Sequence, residues 1–160
     1  MAEKKKVYVE TSVISNLTAR PSCNLIDMAR QVATQQWWDV AVSEYRLVIS
    51  SLVEREAAKG DADAAKRRLE ILRGLDALVI TREVEALANR LLAVTAVPMS
   101  SYEDAVHIAA AAVGGVDYLV TWNCRHIANA ATMPKIYQTC QEAGFKCPVI
   151  CTPEQLGKEE

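Results

Sequence analysis

Four side chains in this sequence carry oxygen at places where chemistry is usual: Glu10, Glu56, Asp104 and Asn123. Glu10 closes the apolar run "VYVE" and is followed at once by Thr11 and Ser12. Such a short, β-rich run reads as a buried strand, and a strand end does not itself need a carboxylate. Glu56 lies in "SLVEREAAKG", four residues after Leu52 and three after Val53, so on a helix it shares the side of the apolar stripe. Glu54 points about 200° away from it, at roughly 100° per residue. Ser51 and Glu54 have the S-x-x-E spacing of a capping box, which gives Glu54 a structural job. Asp104 stands in "SSYEDAVHIAAAA", on the same helical side as His107, Ile108 and Ala111. Ser100 and Glu103 repeat the capping-box spacing there. Asn123 comes just after the apolar run in "DYLVTW".

Each residue alone has a plain structural reading. Glu56 could pair with a nearby Arg or Lys, since an acid at the edge of a buried face needs a partner. Asp104 suits the positive end of a helix dipole. Asn123 could be a helix cap or an Asx-turn. Thr11 and Ser12 read as caps of the helix after the first strand. His107, on an apolar helix, reads as a satisfied core residue. His126 and Arg125 read as an exposed loop pair that could also meet a phosphate. Taken together, three carboxylates and an amide oxygen are hard ligands that suit Mg²⁺ or Mn²⁺ better than zinc. With an ion present the carboxylates stay ionised. Without one, close carboxylates repel and at least one pKa should rise.

The elements that must position these groups alternate. Strands are expected at 6–10, 46–50, 77–80, 117–122 and 147–152. Helices are expected at about 22–44, 51–59, 61–73, 81–94, 100–113 and 132–143. Gly60, Gly74, Gly114, Gly115 and Gly144 act as stops. Strands alternating with helices predict an α/β fold, a mostly parallel sheet covered on both faces. In such sheets ligands bind at the carboxyl ends of the strands. Glu10 and Asn123 are both at such ends, whereas Asp117 is at the wrong end of its strand and reads as a turn residue.

Composition sets the frame. The 160 residues are 51% apolar and 24% charged, which suits one globular domain. The formal charge of −2 gives no bulk basic footprint, so contacts to nucleic acid would have to be local. The cysteine count of five is odd and there is no C-x-x-C pair, which argues for free thiols over a zinc site. No apolar run reaches the ~20 residues of a membrane helix, and the basic start lacks a signal peptide's apolar stretch. A cytoplasmic location is expected.

The segments "VYVETSVIS", "VISSLVEREAAKGDADAAKRRLEIL", "SYEDAVHIAAAA", "DYLVTWNCRHIANA" and "CPVICTPEQL" occur in this order along nearly the whole chain. In this the chain resembles PIN-domain proteins, most of all the VapC-type toxin ribonucleases of bacterial toxin–antitoxin pairs. The resemblance implies an α/β/α sandwich with a mostly parallel central sheet, one PIN domain over 1–160 with a polar tail at 153–160. It implies a Mg²⁺- or Mn²⁺-dependent endoribonuclease that hydrolyses RNA phosphodiester bonds. The metal would be held by Glu10, Asp104 and Glu56, with Asn123 at the fourth catalytic position. Thr11, Ser12 and Arg125 would meet the substrate. A cognate antitoxin protein and a homodimer, with contacts on the helix around 24–44, are implied as partners.

Two positions depart from the family pattern. The first family acid is usually Asp, and Glu10 is one methylene longer. The fourth is often Asp, and Asn123 is uncharged. These departures motivate an alternative, a catalytically weak PIN-fold module that binds RNA or protein. An aspartyl-nucleophile phosphatase fails, because it needs Asp with a second acid two residues on. Here those positions hold Glu10 and Ser12.

Overall fold

Alternation of apolar runs with amphipathic stretches is what the structure, a computed structural model describing residues 2–158, realises. The strands are β1 (Lys6–Val9), β2 (Arg46–Ser50), β3 (Asp76–Leu78), β4 (Tyr118–Val120) and β5 (Val149–Cys151). The helices are α1 (Thr11–Thr18), α2 (Leu25–Glu44), α3 (Ser51–Ala57), α4 (Ala62–Leu72), α5 (Arg82–Ala93), α6 (Tyr102–Val113) and α7 (Met133–Glu142). The strands form one sheet in the order β3-β2-β1-β4-β5, and every pairing is parallel. This is the expected α/β architecture, a parallel sheet with helices flanking it.

β1 is the central strand, paired on both sides. Val7, Tyr8 and Val9 are all fully buried, and each apolar side chain so placed contributes roughly 1.5–3 kcal/mol. Tyr8 lies between Val48 of β2 and Leu119 of β4 in the register. Successive strands β1, β2 and β3 step to one side of β1, and the chain then crosses to place β4 and β5 on the other. The crevice between the carboxyl ends of β1 and β4 is therefore the topological switch point, where such sheets bind ligands. α6 fits tightly across the sheet: a Cβ on Gly114 would stand 2.6 Å from Leu78 Cδ1 and 2.9 Å from the Ala110 carbonyl oxygen. Gly74, at φ +80, makes the left-handed turn from α4 into β3.

Several expectations are corrected. The third strand is Asp76–Leu78 rather than 77–80, because its ladder with β2 begins at Val48↔Asp76. α3 is capped by Ser50, whose hydroxyl accepts from Val53 N–H, so Ser51 and Glu54 form no capping box. α6 is capped by Ser101 without a side-chain cap bond, so Ser100 and Glu103 form none either. Thr11 and Ser12 do not cap α1; Glu10 does. The segment after β5 is more than a polar tail. Pro153–Gln155 form a 3-10 turn, Thr152 and Gln155 make a capping box, and Pro153 and Leu156 are buried.

Candidate metal centre

Glu10 sits one residue past β1, and its backbone N–H donates to the Val120 carbonyl at 3.1 Å, which ties the ends of β1 and β4 together. Its carboxylate turns in rather than out. Oε2 accepts from the Ser12 backbone N–H at 3.0 Å, the α1 cap. Oε1 accepts from the hydroxyl of Ser12 and, at 2.6 Å, from that of Thr121. Ser12 Oγ in turn accepts from the Trp122 backbone N–H at 2.8 Å. Three donors from both sides of the switch point thus hold a carboxylate that is only 6% exposed. A buried charge is tolerable only with such partners.

Glu56 reaches the same place from the last turn of α3. Its Oε1 accepts from Thr11 Oγ1 at 2.7 Å and contacts His107 Nε2 at 2.6 Å. His107 comes up from α6, 1% exposed, with Nε2 also 3.9 Å from Glu10 Oε2. Its other nitrogen, Nδ1, lies 2.7 Å from the Tyr8 hydroxyl, which is itself 2.7 Å from Ser50 Oγ. Ligand atoms of Glu10, Glu56 and His107 all lie within 4.8 Å of one another, a group that could hold a metal ion.

The charges in this cluster balance one another. Burial disfavours an imidazolium at His107, but the bond to Glu56 and the charges of Glu10, Glu56 and Asp104 outweigh it and raise its pKa above the ordinary value. Burial likewise penalises a charged Glu56, yet its bond to His107, the charge of that ring, the Thr11 hydroxyl and Lys59 lower its pKa below the ordinary value. The rise expected for a carboxylate in a metal-free acidic cluster is therefore absent at Glu56, because His107 supplies the positive charge. Tyr8 is held far above its usual pKa, chiefly by burial, and its hydroxyl stays neutral.

The structure brings two of the expected acids together and holds the other two groups nearby in bonds of their own. Asp104 lies one turn before His107 on α6 and is near enough to act on its charge. Its Oδ2, however, lies 2.9 Å from His126 Nδ1, a nitrogen that Ser101 Oγ also approaches at 3.2 Å. Asn123 Oδ1 accepts from the His126 backbone N–H at 3.0 Å, while its carbonyl takes N–H bonds from Ile127 and Ala128. That is the cap role, a side-chain oxygen accepting from the N–H three residues on. Thr11 and Ser12 line the centre as hydroxyl donors to the two acids. Arg125 is exposed beside His126. His107 is indeed a satisfied buried residue, but its partners are Glu56 and Tyr8, which makes it part of the centre. A readable signal was Tyr8 itself: a tyrosine inside a central strand needs a hydroxyl partner at depth.

Comparison of the chain with protein-family models, with curated proteins and with solved structures gave no match in any of the three. What the site does must therefore be argued from its side chains.

Proposed function

We propose that the chain is a divalent-metal-dependent endoribonuclease of the PIN-domain type, with Glu10, Glu56 and His107 around the ion and Asp104 alongside. The observation that carries this is the meeting of Glu10 and Glu56, 46 positions apart, with His107 inside 4.8 Å at the switch point of a parallel sheet. The donor set fits a divalent cation. Glu10 Oε2 takes one N–H bond, and Glu56 Oε2 takes no hydrogen bond among the described residues. Two carboxylates with an imidazole favour Mn²⁺ or a borderline ion over Mg²⁺, which prefers oxygen alone.

When bound, the ion supplies a Lewis acid and a fixed positive charge beside a phosphodiester. The chain's own residues do the rest. The hydroxyls of Ser12 and Thr121 and the Ser12 N–H hold the Glu10 carboxylate in place. Thr11 and His107 do the same for Glu56. Arg125, exposed at the rim, offers a cation to a backbone phosphate. RNA as substrate, a toxin role and a cognate antitoxin follow from the resemblance. Leu25, Ile26, Met28 and Val32 lie exposed on α2, the helix on which a homodimer contact is proposed.

The experiment is cleavage of total RNA with and without Mn²⁺. Cleavage should require the ion and should fall at least about 100-fold in Glu56→Gln, within the range for a lost electrostatic group at a reacting centre. Cleavage at the wild-type rate by that variant would remove the assignment. A second reading, a binding module with little catalysis, is favoured by one observation: Asp104 and Asn123 are both engaged by His126. It predicts tight RNA or protein binding with no metal-dependent cleavage.

A further inference from the structure

Tyr8 has a single hydroxyl proton and two contacts that compete for it, Ser50 Oγ and His107 Nδ1, each at 2.7 Å. All three residues are at most 1% exposed, so bulk water does not compete for either place. Two arrangements of the neutral ring satisfy the geometry; the imidazolium donates from both nitrogens, Nδ1–H to Tyr8 and Nε2–H to Glu56. In the first, Ser50 donates to Tyr8, Tyr8 donates to Nδ1, and Nε2–H donates to Glu56 Oε1. In the second, Nδ1–H donates to Tyr8 Oη, Tyr8 donates to Ser50 Oγ, and Nε2 presents a bare lone pair to Glu10 and Glu56. Only the second lets the imidazole act as a ligand, because a ring nitrogen that carries a proton cannot coordinate.

We propose that Tyr8 is a positioning residue that selects the tautomer of neutral His107, donating to Nδ1 so that Nε2–H stays on Glu56 without metal, and accepting Nδ1–H when an ion binds. This rests on the cluster being a metal centre. A phenol hydroxyl suits the task because it both donates and accepts. The ring can exchange one role for the other while Tyr8, Ser50 and Nδ1 keep their bonds. Ligating histidines commonly donate their second nitrogen to such a partner, which fixes ring orientation. Here the partner comes from the central strand, two residues before Glu10, so β1 and the residue that follows it supply both a ligand and the orienter of another.

Without the hydroxyl, a buried N–H at Nδ1 would have no acceptor, and that orphaned donor is the costlier state. Tyr8→Phe should therefore lock His107 as the Nε2–H tautomer. Ser50→Ala should leave the Tyr8 hydroxyl donating to a bare Nδ1, with the same result, and it serves if the Phe variant does not fold. Two readings are taken on each protein. Calorimetry with Mn²⁺ should show affinity reduced about 10–100-fold in the variants, the range for a lost orienting partner. Ring nitrogen NMR, with Zn²⁺ as a diamagnetic probe and the imidazole neutral, should show wild-type His107 passing from Nε2–H to Nδ1–H, and the variants failing to do so. Wild-type binding with unchanged affinity in both variants, or with no change of tautomer, overturns the role of Tyr8 and leaves the metal centre standing. No binding by the wild type removes the metal centre, and the role of Tyr8 with it.

Discussion

The protein contains two carboxylate–histidine pairs, each with one member on α6 a turn from the other, and they live in different worlds. Glu56 and His107 meet at 2.6 Å with the ring 1% exposed and a second carboxylate 3.9 Å away. Asp104 and His126 meet at 2.9 Å with side chains 23% and 27% exposed. Chemically the pairs are alike. What separates them is the buried ring of His107, since the Glu56 side chain is itself 28% exposed, and the company of a buried acid, Glu10, and a tyrosine hydroxyl. The inner pair is a charge arrangement that the fold must hold, and the outer pair is a contact that water can partly replace.

The largest effect should come from the acid the inner pair leans on. Glu10→Gln turns a carboxylate that accepts three bonds into an amide whose NH₂ must face either the two hydroxyls or the Ser12 N–H. A cost of about 3 kcal/mol is expected in urea unfolding, as for loss of a charge-assisted buried network. Next, a double-mutant cycle on Glu56 and His107 should give a coupling of about 2–3 kcal/mol. The same cycle on Asp104 and His126 should give under about 1 kcal/mol. Equal couplings would erase the distinction between the pairs.

The inner pair should also shape the pH dependence of stability. His107, with its pKa raised, contributes stability that is complete below its ordinary value of 6.5 and is lost as pH climbs through the folded value. Glu56, with its pKa lowered, contributes stability that is complete above its ordinary value of 4.5 and is lost as pH falls through its folded value. The pair therefore stabilises most between pH 4.5 and 6.5. Thermal melts across that range should show the wild type gaining on Glu56→Gln inside the window and less outside it. Among single substitutions at the centre, the smallest loss of stability is expected at Ser12→Ala, about 1–2 kcal/mol, from one hydroxyl bond to Glu10 and one orphaned Trp122 N–H.

The same contrast explains what could be read from the sequence. The parallel α/β fold was legible because apolar β-rich runs and glycine stops punctuate the chain. The helix starts at Ser50 and Ser101 were each displaced by one residue. Both lie in Ser-Ser pairs, where spacing alone cannot say which hydroxyl caps. Glu10 was legible from its place at a strand end, and Glu56 from its place beside an apolar stripe. Placing Asp104 ahead of His107 followed from reading acids as the metal-holding type. A helical stripe looks the same whether its histidine is filler or a member of a charged cluster. The difference is made by Tyr8 and Glu56, which are distant in sequence and meet His107 only once the sheet forms.

The central claim is that Glu10, Glu56 and His107 together hold a divalent cation. It is tested most directly by calorimetric titration of the wild-type chain with Mn²⁺. A single site per chain that disappears when Glu10 and Glu56 are both changed to Gln is the predicted result. An absence of binding at millimolar Mn²⁺ in the wild type, or undiminished binding in the double variant, would contradict it.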